Sequence, residues 1–189
     1  MKKLSIFTSL VMLCASASAT TIIPMSVERL TDISSDVVVA HATRSWSEWN
    51  NQHTMLVTYT QFTVDSRLKG AASATITVKQ PGGSAEGYTQ RVAGVRPWSA
   101  GESAVLFLKP STSHDGTLVI SGLMQGDFRV RRSSSGSVIA DNGVEGTTRQ
   151  VSNNLESFNV SNGSVSPYTG NRMSLDELQR RVRTRTQTR

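Results

Sequence analysis

The chain has 189 residues, 37% of them hydrophobic and 18% charged, with a formal net charge of +6 and one cysteine, Cys14. That length suits one domain with its own core and is short for two. A lone cysteine excludes a disulfide framework, so the fold must hold by burial.

At the N-terminus, Lys2 and Lys3 precede a mostly apolar run over residues 4–13, and small residues follow to Ala17-Ser18-Ala19. This pattern predicts a signal peptide over residues 1–19, cleaved before Thr20, and a periplasmic or secreted protein. The apolar run is too short for a permanent span. Leu13 before Cys14 does not fit a lipoprotein signal, so plain cleavage is the preferred reading. Without Lys2 and Lys3, 18 basic residues stand against 14 acidic ones. Six arginines against Asp176 and Glu177 place that excess in residues 172–189, and residues 20–171 are neutral. The basicity belongs to a tail, either solvated or in weak contact with an anionic envelope surface, and a neutral domain argues against a nucleic-acid partner.

Taken in order, Ser26 predicts a cap for a short helix over 27–31, with Glu28 at its positive end. Residues 36–43 are β-branched and read as a central strand. Residues 44–52 are polar, with Trp46 and Trp49 embedded, and read as a loop or long hairpin connection. Residues 55–68 form the longest strand, with Leu56, Phe62 and Val64 on one face and Met55, Val57 and Tyr59 on the other. Apolar residues on both faces predict a strand that bends, as in a small barrel. Residues 73–80 alternate, with Ala74, Ile76 and Val78 inward, and Pro81-Gly82-Gly83 ends that strand. A weaker strand over 88–92 precedes a loop over 94–101 that contains Pro97 and Trp98.

Residues 103–108 are continuously apolar after Ser103 and predict a strand buried on both faces. His114-Asp115-Gly116 reads as a hairpin turn into Leu118-Val119-Ile120. Phe128 and Val130 alternate with Asp127, Arg129 and Arg131 in an edge-like strand, and Val138-Ile139 starts another. Such spacing predicts an all-β fold, and the barrel form leads to an OB-like domain over 20–140 with peripheral helices. Residues 141–171 are a Ser/Asn/Gly-rich connector. In 172–189, Ser174-Leu175-Asp176-Glu177 is a capping box, Met173 can staple onto Leu178, and Leu175, Leu178 and Val182 form a stripe able to dock on the barrel.

Sites of chemistry are sparse. His41, His53 and His114 are scattered without metal-ligand spacing, so neither a metal nor another cofactor is expected. Ser103 lacks the second glycine of a nucleophile elbow, the acids are spread singly, and Pro81-Gly82-Gly83 opens no helix for a phosphate. Trp46, Trp49 and Trp98 lie in polar, loop-like segments where an apolar body and one donor suit a contact surface. The alternative is that each folds back over a barrel end.

Two resemblances follow from these strands. Over residues 34–131 the chain resembles a family of uncharacterised exported bacterial β-domain proteins, in Asp36-Val37-Val38-Val39, Leu68-Lys69-Gly70, Gln80-Pro81-Gly82-Gly83 and Gly101-Glu102-Ser103-Ala104-Val105-Leu106-Phe107-Leu108. The Ser174-Leu175-Asp176-Glu177-Leu178 helix is similar to that family's ending, and no activity comes with the match. More distantly, the strand order resembles the netrin-like OB barrel of the tissue inhibitors of metalloproteinases. In those inhibitors the first mature residue is a cysteine whose α-amine and carbonyl clasp the protease zinc; Thr20 stands in its place here, without the disulfides. The expectation is an exported, non-catalytic module that binds an exported protein, with an exported metalloprotease as the candidate it would assist or inhibit. Its binding residues would be Thr20, Trp46, Trp49 and Trp98. Two alternatives stay open: a small secreted hydrolase whose site assembles only in space, and an envelope structural protein held by its basic helix.

Overall fold

The computed structural model describes residues 24–143 and 172–188. The expected signal segment, Thr20 and connector residues 144–171 lie outside them.

A long antiparallel ribbon organises the molecule. Strand β1 (Asp36–Trp49) pairs along its length with β2 (Leu56–Lys69), and β2 pairs with β3 (Thr75–Pro81). A short separate hairpin, β4 (Gly83–Ala85) and β5 (Tyr88–Gln90), follows. Strand β6 (Ser103–Pro110) returns beside β1, and β7 (Leu118–Ile120) runs antiparallel to β6. One parallel bridge, Val78 to Leu118, joins β3 to β7 and closes a five-stranded ring of OB type. Three register shifts between β1 and β2 coil the ribbon enough to close so few strands. From β6 the sheet continues through β8 (Asp127–Arg132), β9 (Val138–Asp141) and β10 (Arg172–Ser174).

The strand period of two sends alternate residues of β1 and β6 into two different cores. Val38, Ala40, Ala42, Ala104, Leu106 and Leu108 point into the barrel with Phe62, Ile76, Val78 and Trp98. Val37, Val105 and Phe107 point outward, beneath helix α1 (Val27–Ile33) and helix α2 (Leu175–Gln187). Leu30, Phe128, Leu178 and Val182 complete that second core, all fully buried. Burial on both faces is the reason residues 103–108 read as a continuous apolar run.

Local signals behave as their chemistry dictates. The Ser26 hydroxyl accepts from the Arg29 amide at 3.2 Å, and the Ser174 hydroxyl accepts from the Glu177 amide at 3.2 Å. Arg181 donates two bonds to the Glu28 carboxylate, at 2.7 and 2.8 Å, and Arg185 grips Asp32 likewise, at 2.8 and 2.7 Å. Two arginines of the basic tail therefore fasten α2 to α1. Among the described residues no helix is long and apolar enough to cross a membrane.

Two expectations change. Residues 44–49 continue β1 instead of forming a loop, paired with β2 through Leu56, and both serines there find hydroxyl partners across the strands. Ser45 meets Thr60 at 3.0 Å, and Ser47 meets Thr58 at 2.8 Å. The turn shrinks to a few residues, with the Asn50 carboxamide accepting from the Thr54 amide at 2.8 Å. Strand β8 is internal, between β6 and β9, and buries both Asp127 and Arg129.

Candidate functional site

Past the irregularity between Ala42 and Arg44, the ribbon's outer face presents an ordered row of side chains. Register places Trp46 opposite Tyr59, and Tyr59 opposite Lys79. The two rings stack with centroids 5.6 Å apart and planes within 15°. The Arg44 guanidinium lies over Trp46, 5.1 Å from its centroid, and the Lys79 ammonium lies over Tyr59 at 5.6 Å. The order across three strands is cation, ring, ring, cation.

Lys79 is positioned from the β6–β7 turn, donating to Ser113 at 3.0 Å and to Asp115 at 3.1 Å. Burial opposes its charge, but Asp115 and Tyr59 outweigh that and hold the ammonium above the ordinary lysine value. The Thr117 hydroxyl and amide, with Lys79, bring the Asp115 carboxyl down to about 2. Both charges are therefore present at any physiological pH. Because the ring faces are engaged within the row, what the row offers a partner is ring edges, the positive part of each quadrupole, flanked by cations.

Trp49 lies three residues beyond Trp46 and so on the ribbon's other face. It stacks on His53 (5.6 Å, 15°) and meets Tyr88 edge-on (5.5 Å, 68°). Tyr88, at the tip of β4–β5, is 63% exposed. That hairpin is tied to β2: the Gly82 amide donates to the Leu56 carbonyl at 2.7 Å, and Thr58 donates to the Gly82 carbonyl at 2.7 Å. Gly83, at φ +134°, lies directly on the Ser47 and Thr58 hydroxyls, where a β-carbon would collide with both.

Trp98, proposed from sequence as a contact residue, is placed inside. It is 5% exposed, meets Phe62 edge-on at 5.0 Å, and is roofed by the Arg129 guanidinium 3.6 Å from its centroid. Arg129 also donates to Glu102 (2.9 Å) and to the Pro97 carbonyl (2.8 Å), which pins the loop carrying Trp98 across the barrel end. Buried Asp127 lies 3.3 Å from Arg96 and 3.6 Å from Arg129. Burial pushes the Asp127 carboxyl up, against the pull of both arginines, and burial likewise lowers Arg129 against Asp127 and Glu102. The sequence signal for this cluster is the Asp127-x-Arg129 spacing, which puts both side chains on one strand face.

The three histidines stay apart. His41 pairs with Asp65 at 2.9 Å, with side chains 38% and 45% exposed, and Ser103 is its neighbour across β1 and β6. Serine, histidine and carboxylate thus share one row on an open sheet face, where solvent screens the pair and water has free access. Among the described residues, no group of three His, Cys, Asp or Glu could hold a metal ion. Structure brings Trp46 and Trp49 to one ribbon end, adds Arg44, Tyr59, Lys79 and Tyr88 to them, and leaves Trp98 as a stopper; Thr20 lies outside the described residues. Sequence reasoning passes over Tyr59 and Lys79 because each looks like an ordinary strand residue until its cross-strand neighbour is known. A scan of known protein families finds no match for this chain, and neither does a search of curated proteins.

Proposed function

We propose that this chain is an exported, non-catalytic module that binds another exported protein through the outer face of the β1–β2–β3 ribbon. The observation that carries the reading is the row Arg44–Trp46–Tyr59–Lys79, a preordered set of aromatic and cationic residues on a rigid sheet. Tryptophan, tyrosine and arginine dominate protein-contact energetics because they bury much area at little entropic cost. Ring faces engaged with one another are poor platforms for a sugar, which favours a protein partner over a glycan. An exported metalloprotease is the partner class that the resemblance adds, with Thr20 as the residue that would approach its zinc. The basic tail is a weaker envelope anchor than its composition implies, since Arg181 and Arg185 are committed to Glu28 and Asp32.

The test compares capture from an envelope extract by the purified chain and by its Trp46→Ala/Tyr59→Ala variant. The variant should lose about 2 kcal/mol or more of affinity and release whatever the parent retains. Equal retention by both, or by neither, would remove the row from consideration. For the inhibitory version, one extra residue before Thr20 should abolish inhibition of an exported metalloprotease; inhibition that survives it would dismiss that version.

A further inference from the structure

Beyond the row, β3 and β7 are joined by the single bridge between Val78 and Leu118. Past it a groove of about 330 Å³ opens, lined on one side by Lys79 and Pro81 and on the other by Lys109, Val119 and Leu123, with Val95 alongside. Leu123 is the unusual member. It is 58% exposed and holds φ +56°, a left-handed conformation in which an aliphatic side chain is rare. The crossing from β7 to β8 imposes it, and outliers of this kind cluster where a fold serves a ligand. The Lys109 side chain makes no hydrogen bond or ion pair among the described residues, whereas Lys79, held by Asp115, belongs to both the groove and the stacked row.

We infer that the groove seats an apolar side chain of an extended partner segment whose neighbouring carboxylate meets Lys109: an acidic, hydrophobic peptide strand. This deepens the proposed function and rests on it, since Lys79 makes row and groove one strip. Three features select the occupant. Pro81, Val95, Val119, Ile120 and Leu123 make the walls mostly apolar, and the space takes one or two side chains, not a folded surface. Of the two flanking lysines, Lys79 is paired with Asp115 and Lys109 is not, so the uncompensated charge at the groove is positive, which favours an acidic chain and disfavours a basic one. The row beside the groove presents positive ring edges and a guanidinium, which extends the same preference along the segment.

The experiment measures fluorescence anisotropy of three short labelled peptides with the purified chain: alternating Glu–Leu, alternating Lys–Leu and alternating Glu–Ser. The Glu–Leu peptide should bind about tenfold or more tighter than either control. Leu123→Gly and Lys109→Glu should each weaken it about fivefold or more. Leu123→Gly also relieves the left-handed residue, so the variant should fold at least as well as the parent, and lost binding cannot be laid to unfolding. Equal binding of the three peptides, no binding, or indifference to both substitutions overturns the inference. If Trp46→Ala/Tyr59→Ala still abolishes envelope capture in that case, the row survives and only the groove falls. Peptide binding that survives the same double variant places the groove apart from the row.

Discussion

A guanidinium that is 6% exposed must be neutralised where it sits, and Arg129 is, by Asp127 and Glu102. Its two terminal nitrogens donate to Glu102 and to the carbonyls of Arg96 and Pro97, while its Nε and the Asp127 carboxylate make an ion pair without a hydrogen bond. It also roofs Trp98, so one side chain couples a buried charge cluster to the closure of the barrel. Arg129→Met should cost about 3–5 kcal/mol in urea unfolding, because Asp127 is left buried with Arg96 alone. Asp127→Asn should cost clearly less, because Glu102 still faces Arg129 and burial already opposes the Asp127 charge. Equal costs would argue against this assignment of roles. At Gly83, alanine meets both a left-handed backbone and the Ser47 and Thr58 hydroxyls. Gly83→Ala should therefore detach the β4–β5 hairpin, at about 1–3 kcal/mol. Faster amide exchange over residues 84–90 with an unchanged barrel would report it; unchanged exchange would contradict it.

At the scale of elements, α2 is held by an apolar stripe, two arginine forks and a strand. Leu178 and Val182 are fully buried, and β10 pairs with β9 immediately before the helix begins. Arg181 holds the Glu28 carboxyl below its usual value, burial acting in the opposite direction. A lowered folded pKa means the stabilisation is present above the ordinary carboxylate value, about 4.3, and is lost as pH falls through the lower folded value. Exchange protection of α2 should therefore drop on acidification below about pH 4 while the barrel amides keep theirs. A loss centred near neutrality would point away from the Glu28–Arg181 pair.

For the molecule as a whole, β1 and β6 each line both cores, so the barrel and the helical layer share these two strands as a common wall. Losing one core removes a face of the other. Urea transitions followed by tryptophan fluorescence and by helical circular dichroism should therefore coincide. Separate midpoints would show that the helices and β10 form an independent unit. The layout also explains where recognition can lie. Helices cover the outer faces of β1 and β6 near their inner-core residues, whereas the far end of the ribbon and the β3–β7 seam stay open to solvent.

The amino-acid sequence determined the elements whose signals are local. Ser26 and Ser174 cap the helices they announce, the alternation read over 73–80 is a strand from Thr75 to Pro81, and the apolar run in β6 is buried on both faces. Period, capping and turn chemistry act within a few residues, so a linear reading captures them. Residues 44–49 escaped it because their strand character comes from partners on β2 and not from their own polarity. Which tryptophan is core and which is surface was decided by tertiary structure alone. Trp98 is buried by an arginine on a strand far along the chain, and Trp46 gains its meaning from Tyr59 and Lys79 across two strands. The groove at Leu123 depends on two strands parting after a single bridge, a geometry set by how the barrel closes and by no residue in isolation.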